Sequence, residues 1–321
     1  MEIYNGIVED PRSVEEKQQD WQHEEIASSA IPNWEEREPK KFPIFNQNGS
    51  SACVAFATAK ILGIDEVVEG RDFIHLSPRD IYTMRQNKGG GMWLPNALDI
   101  AKNHGACTEL KMPSEALHEV EMNNTSDRTE ECVTEALNYR SKGYLELPKD
   151  IDSIASVIHQ GKSVLLGFRF DYDEWTDFPT INPNSNNSCG HGVAAVDAVL
   201  KDGKKYIVID DSWSPTYGIF GQRYISEEFL KEKCFYAGYT LNLIFETKHI
   251  FKTQMHFGDK NDEVKFLQDF LKTKGLFPVN RQSSGLFGAI TKSAVKKFQS
   301  ANGLKIDGWV GIKTLEVINK I

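Results

Sequence analysis

Residues 47–64 read QNGSSACVAFATAKILGI. From Cys53 onward the run is apolar and small, and it predicts a helix that starts at Cys53 itself. A thiol in the first turn of a helix sits at the positive end of the helix dipole, which favours the thiolate, the reactive form. Gln47 lies six residues earlier. Its side-chain amide can return toward the sulfur and, with the backbone N–H of Cys53, offer two donors to a developing oxyanion. A cysteine on an apolar helix is by itself more often plain core than nucleophile. The second half of a nucleophile–base pair, however, stands in residues 188–200, SCGHGVAAVDAVL, where Gly190 and Gly192 leave the ring of His191 uncrowded at the start of an apolar strand. Cys189 competes for the nucleophile role, being two residues from His191 on a strand where alternate residues share a face, but no helix follows it and no glutamine accompanies it.

Working outward, residues 31–246 form a body with helical patterns first and strands afterwards. Helices are expected at Cys53, over Pro95–His104 with Gly105 as its stop, and over Ile151–Gln160. Strands are expected in SVLLGFRF (163–170), GVAAVDAVL (192–200), YIVIDDSW (206–213), GQRYIS (221–226) and YTLNLIFE (239–246). That order implies an α+β body whose two halves face each other across a cleft. Residues 1–30 are a polar, acidic N-terminal extension: a surface helix from Val14 to Ile26, or the remnant of an inhibitory pro-segment. Residues 247–254 read as a linker. Residues 255–321 carry three short amphipathic helices with glycine stops, with Thr291 expected to cap the second, and predict a small three-helix all-α domain.

Bulk properties narrow the function classes. The chain has 321 residues, 40% hydrophobic and 26% charged, as in an ordinary globular protein. It lacks an apolar run long enough to span a bilayer, and its first twenty residues lack the basic and apolar regions of a secretory signal, so membrane insertion is not expected. Five cysteines at irregular spacing do not read as a disulfide framework. No CxxC or HExxH occurs and Lys88–Gly91 lacks a phosphate-loop context, so neither a metal nor another cofactor is expected. Net charge is −9, yet residues 253–321 hold 11 Lys+Arg against 6 Asp+Glu, or +5, which leaves −14 for the first 252 residues. A basic tail on an acidic body suits an anionic surface. With one arginine in that tail, nucleic acid is not the expected partner.

These segments together resemble the papain family of cysteine peptidases. The resemblance rests on the Gln47-to-Cys53 spacing, the helix after Cys53, His191-x-Val193-x-x-Val196, and the Asp211-Ser212-Trp213 segment. Ile31-Pro32, Leu76-Ser77, Gly218, Gly221 and Tyr224-Ile225 add to it. The separation of 138 residues from Cys53 to His191 falls within the family's usual ~130–150, while the 158 to Asp211 slightly exceeds it. The resemblance implies a two-lobed body, a helical lobe beside an antiparallel barrel-like one. It implies a catalytic set of Cys53, His191, Asp211 and Gln47 and a substrate-binding set of Gly90, Gly91, Gly190, Gly192 and Trp213, with Gly90 and Gly91 pairing with substrate backbone, Gly190 and Gly192 flanking the base, and Trp213 over the Asp211–His191 hydrogen bond. Three departures stand out. Asp211 replaces the usual asparagine and is expected to shift the pH profile. Ser50 replaces a cysteine and Asn87-Lys88 offers none, so the family's usual disulfide is missing, as suits a reducing compartment. Val54 replaces a tryptophan and is expected to loosen the wall of the site.

The ordered pattern of Val264, Leu267-Gln268, Gly275-Leu276, Phe287-Gly288, Thr291, Ala294-Val295, Phe298-Gln299, Gly303-Leu304, Asp307-Gly308, Gly311 and Thr314 resembles the peptidoglycan-binding domain of cell-wall hydrolases. The two resemblances imply a monomeric cysteine endopeptidase that is made in the cytoplasm and acts at a bacterial wall, of the bacteriophage endolysin or autolysin kind. It would cut stem or cross-bridge peptides of peptidoglycan. A wall-anchored protease acting on proteins, and an inactive papain-fold wall binder, remain as alternatives.

Overall fold

The computed structural model describes residues 6–13, 32–68, 70–87, 89–241, 251–278, 281 and 283–320. It divides into two compact units, Met1–Leu243 and Ile244–Ile321. The expected arm over Val14–Ile26, Ile31 and residues 242–250 of the expected last strand and linker lie outside the described residues.

The first unit is built around helix α1 (Cys53–Val68), whose side chains from Cys53 to Glu66 are all buried. A helix can bury its whole circumference only if it is apolar all round or if its charges are paired. Here Lys60 meets Asp210 at 3.1 Å and the Pro43 carbonyl, while Asp65 meets Lys162 at 3.3 Å and the Thr240 hydroxyl. Helices α2 (Pro78–Thr83), α3 (Leu94–Asn103), α4 (Glu119–Met122) and α5 (Glu130–Ala136) follow; Ser77 caps the first and Thr129 the last through their hydroxyls. Next come strand β1 (Tyr144–Glu146), helix α6 (Ile151–His159) and strands β2 (Val164–Phe170), β3 (Cys189–Lys201), β4 (Lys204–Asp210) and β5 (Gln222–Ser226). Helix α7 (Glu227–Lys233) and strand β6 (Cys234–Thr240) complete the unit.

The six strands form one antiparallel sheet in the order β1-β6-β2-β3-β4-β5. Strand periodicity divides its side chains between two cores. Leu165, Ala194 and Val196 join the cluster around α1, whereas Val164, Leu166, Val193 and Ala195 join the cluster that holds α6 and α7. The α+β body is thus as the sequence implies. The last strand begins at Cys234, five residues before the expected start, and β1 and the short α4 and α5 carry too few residues to show a period.

The expectation about the cysteines is overturned. Cys107 and Cys132 form a disulfide, leaving Cys53, Cys189 and Cys234 free. An odd count hid a single pair. The bridge is buried with Met112 and Ala136, and the Cys107 N–H donates to Asp80, whose other oxygen takes Arg128 at 2.7 Å. It fastens the stretch that contains α4 and α5, where the apolar core is thin.

In the second unit α8 (Asp262–Thr273), α9 (Ala289–Ala301) and α10 (Ile312–Ile318) enclose Val264, Leu267, Leu271, Phe287, Val295, Phe298 and Val310. Thr291 is not the cap of α9: Gly288 holds that place, and the buried Thr291 hydroxyl accepts a hydrogen bond from Gln268 Nε2 at 2.9 Å. Two buried glutamines do matching jobs. Gln268 accepts from the Gly285 N–H and donates to the Leu286 carbonyl, and Gln299 accepts from the Gly308 N–H and donates to the Trp309 carbonyl. No described helix of either unit is long and apolar enough to cross a membrane.

The bridge closes a loop with a sequence separation of 25. Cys132→Ser is expected to lower stability by about 3 kcal/mol on the loop-entropy scale, read by urea denaturation. Thiol titration of the unreduced, denatured parent should count the three free thiols.

Candidate active site

Cys53 opens α1 and is almost wholly buried, with 1% exposure. Just before it, the Ser51 N–H is held by Glu119 at 2.7 Å, which fixes the approach to the helix. Strand β3 passes so close to α1 that a Cβ on Gly192 would lie 2.8 Å from Val54 Cγ2 and 3.1 Å from Val54 Cα. That approach brings the Gly192 N–H to 3.4 Å from Cys53 Sγ and sets His191 beside the sulfur. Val54 is buried and is the surface on which Gly192 rests.

His191 Nε2 is bonded to Asp211 Oδ1 at 2.9 Å, and the Cys53 sulfur acts on the same imidazole. The structure therefore brings Cys53, His191 and Asp211 together. Asp211 Oδ2 accepts from Trp175 Nε1 at 2.9 Å and from Arg223 Nε at 2.7 Å. The imidazole is ringed by aromatics: Trp213 at 4.9 Å, Trp175 edge-on at 5.7 Å and Phe170 at 6.4 Å between centroids. Burial would push the Asp211 carboxyl up, but His191 and Arg223 outweigh it and hold the group below the usual carboxylate range. Burial would likewise pull His191 down; the charge and hydrogen bond of Asp211, with the Cys53 sulfur, overcome it and carry the imidazole to about 9.

Gln47 is buried at the rim of the same cleft. Its Nε2 donates to the Ser50 carbonyl at 2.6 Å and its Oε1 accepts from the Ser212 hydroxyl at 2.6 Å. One amide N–H is thus engaged, leaving the second for a ligand. Cys189 and Gly190 line the cleft with His191, Trp213, Tyr172 and Tyr217, and the Tyr172 and Trp213 rings stack at 5.8 Å. Burial raises the Cys189 thiol, which disfavours its thiolate.

The opposite side of the sulfur is covered. Residues 6–13 lie across it as an extended strap: Gly6 accepts from the Met92 N–H at 2.8 Å, and the Val8 N–H donates to the Met92 carbonyl at 3.2 Å, in parallel sense. A Cβ on Gly6 would sit 2.3 Å from Cys53 Sγ, so the strap backbone packs directly on the thiol. Ile7 is buried beside it, and Glu9 reaches Arg169 at 2.9 Å. Gly90 stands against Ser51, and the Gly91 N–H is spent on the Tyr82 hydroxyl at 3.0 Å. The backbone that pairs with Gly6 and Val8 is that of Met92, next to Gly90 and Gly91. Sequence reasoning missed Met92, Trp175 and Arg223, and for the strap it offered only the alternative of an inhibitory pro-segment remnant within residues 1–30. Arg223 carried the one available signal, a charge inside the otherwise strand-like GQRYIS.

Residues 31–238 match the papain family cysteine protease family, and residues 260–318 match the peptidoglycan binding domain family. The chain belongs to the papain family of cysteine proteases. It is 25% identical to chymopapain of Carica papaya over 184 residues, which are 55% of this chain and 49% of that protein. It is 27% identical to the oryzain beta chain of Oryza sativa subsp. japonica over 189 residues, 56% of this chain and 38% of that one. The chain thus spans half or less of the length of these curated relatives. Xylellain, a cysteine protease from Xylella fastidiosa, superposes with a TM-score of 0.63 at 18% identity, covering 76% of this chain and 98% of its own. The digestive procathepsin L 3 of Tenebrio molitor larval midgut gives 0.55 at 21% identity, covering 70% and 75%. At such identities the two structures bear on the fold alone.

Two outcomes follow from the packing and the charges. Gly192→Ala should cost roughly 1–3 kcal/mol in denaturant unfolding, because rigid helix backbone meets the new methyl. The His191–Asp211 pair should contribute fully to stability below the ordinary imidazole value of 6.5 and lose that contribution as pH rises through about 9. The imidazole resonance of His191 should titrate in that upper region, and in Asp211→Asn its midpoint should fall.

Proposed function

We propose that this chain is a cysteine endopeptidase of the bacterial cell wall that hydrolyses the stem or cross-bridge peptides of peptidoglycan, as a bacteriophage endolysin or an autolysin would. The observation that carries the reading is the buried His191–Asp211 pair beside Cys53, whose sulfur takes the neighbouring Gly192 N–H, in a chain whose C-terminal residues match a peptidoglycan binding domain.

In the proposed reaction the Cys53 thiolate attacks the scissile carbonyl carbon. The C–S bond forms as the carbonyl π pair moves to oxygen. The Cys53 N–H and the spare N–H of Gln47 are the donors for that oxyanion. Imidazolium His191 gives its proton to the departing amine, and the acyl-enzyme remains. Water, deprotonated by the same imidazole, then frees the acid and restores the thiol. Asp211 holds the ring and stabilises its charged form throughout. Attachment to the polymer raises the local concentration of the catalytic unit there.

The strap fits a closed form of the enzyme. An extended segment on Met92, with its backbone on the thiol, leaves no room for a carbonyl carbon at the sulfur. Productive binding requires residues 6–13 to leave, and a substrate peptide would take over the Met92 edge by adding a strand.

A protease of surface proteins that is merely held at the wall is the second reading, and it draws on the protease relatives. Purified walls and casein, each with and without a thiol alkylator, separate the readings. Loss of wall turbidity that alkylation abolishes supports the first, casein cleavage alone supports the second, and wall binding with neither leaves an inactive binder. Cys53→Ser should reduce the hydrolytic rate by a factor on the order of 10³ or more while wall sedimentation is unchanged. Deleting residues 1–13 should raise kcat/KM on a short peptide substrate; an unchanged value removes the strap from the account.

A further inference from the structure

Asp211 differs from an orienting amide in carrying a full charge inside a dry site. That charge is not left to His191 alone. Arg223, on β5 opposite Ile209 of β4, is 3% exposed and places Nε 2.7 Å from Asp211 Oδ2, the oxygen that His191 does not use. Its Nη1 donates to the Trp175 carbonyl at 2.9 Å, and its guanidinium carbon lies 5.5 Å from the rings of both Trp175 and Trp213. Those tryptophans also flank the imidazole. The guanidinium is therefore clamped by the same rings and the same carboxylate that hold the base.

We propose that Arg223 is a positioning residue for His191: it holds the outer oxygen of Asp211, so that the carboxylate keeps its inner oxygen on the imidazole, and it offsets part of the charge that Asp211 turns on the ring. The inference rests on the catalytic reading of Cys53 and His191 given above. The other charged groups packed around the pair are already matched. Asp210, next in the chain to Asp211, is paired with Lys60 at 3.1 Å, and Glu174, next to Trp175, is paired with Lys233 at 2.9 Å. Neither lysine is placed to replace Arg223, since each is engaged with its own carboxylate. A substitution at Arg223 therefore leaves Asp211 with His191 as its sole ionic partner among the described residues.

Two consequences can be measured. With the counter-charge removed, the whole field of Asp211 falls on the imidazole, and the alkaline limb of the rate profile should move to higher pH, by about one unit. The imidazolium then surrenders its proton less readily to the leaving amine, so kcat should fall more than KM rises. A lone Asp211→Asn should also fail, for the opposite reason: it strands a buried guanidinium with only a neutral oxygen to face. Joining the two changes restores charge balance, so the losses should not multiply.

The test uses the full chain with Arg223→Met, Asp211→Asn and the double variant. Each is followed by peptide hydrolysis across pH and by the pH dependence of Cys53 alkylation with iodoacetamide, the modified peptide being identified by mass spectrometry. Circular dichroism melts confirm that each variant is folded before its rates are compared. The expected result is a loss of about tenfold or more in kcat for each single variant, with the double variant within a few-fold of the parent. Retention of parental kcat and pH profile by Arg223→Met overturns the proposal, as does a double variant whose loss is the product of the single losses. If Arg223→Met melts early, Arg223→Lys replaces it: a parental profile from that planar-to-spherical change, which cannot hold Nε and Nη1 contacts together, also counts against the proposal. Alkylation that shows no low-pH thiolate at Cys53 in the parent sinks the catalytic reading itself, and so tells the two failures apart.

Discussion

A carboxylate with 1% exposure must be met on both oxygens or the fold pays for it heavily, and Asp211 is met on both. One oxygen takes the imidazole. The other takes an indole N–H and a guanidinium. Those partners come from β3, from the loop after β2, and from β5, so satisfying one charge fixes how three parts of the sheet lie against one another. The aromatic rings that exclude water from this point also make the arrangement electrostatically strong. A partly solvated version of the same contacts would be weaker and would hold the imidazole less well.

The second constraint is closeness. His191 reaches Cys53 only because β3 lies directly on α1, and it does so because Gly192 has no side chain to keep Val54 away. Glycine thus has a steric role here, whereas its role at Gly105 is conformational, with φ at +70° just after the end of α3. The buried Lys60–Asp210 and Asp65–Lys162 pairs serve the same contact, allowing a helix that carries charge to be enclosed by the sheet and its neighbours.

How much of this was legible in the sequence depended on local regularity. The helix at Cys53 and strands β2 to β4 were readable because their apolar residues repeat at one period over about seven residues or more, or run unbroken, whereas the five-residue β5 was marked by Gly221 before it and by Tyr224-Ile225. His191 announced itself through its small neighbours. By contrast α4, α5 and β1 are too short for any period. The Cys107–Cys132 bridge was hidden because pairing is a property of space, and five cysteines at uneven intervals leave many pairings open. Arg223 was invisible as a partner of Asp211 for a related reason: twelve residues and a turn separate them, and only the antiparallel pairing of β4 with β5 brings them together. The strap's place was beyond reach because its tie to Met92 is made by backbone atoms, which no side-chain pattern records.

The paired glutamines of the second unit have a meaning of their own. Each sits in a helix and closes a later glycine turn, Gln268 on Gly285 seventeen residues on and Gln299 on Gly308 nine residues on. Both glycines have positive φ. The unit therefore uses one helix-and-turn device twice with different intervening lengths. Apolar residues of similar volume can be exchanged around it at little cost, but a glutamine without its glycine leaves a buried amide unanswered. The two amide-to-glycine links thus constrain this unit more tightly, residue for residue, than its hydrophobic contacts do.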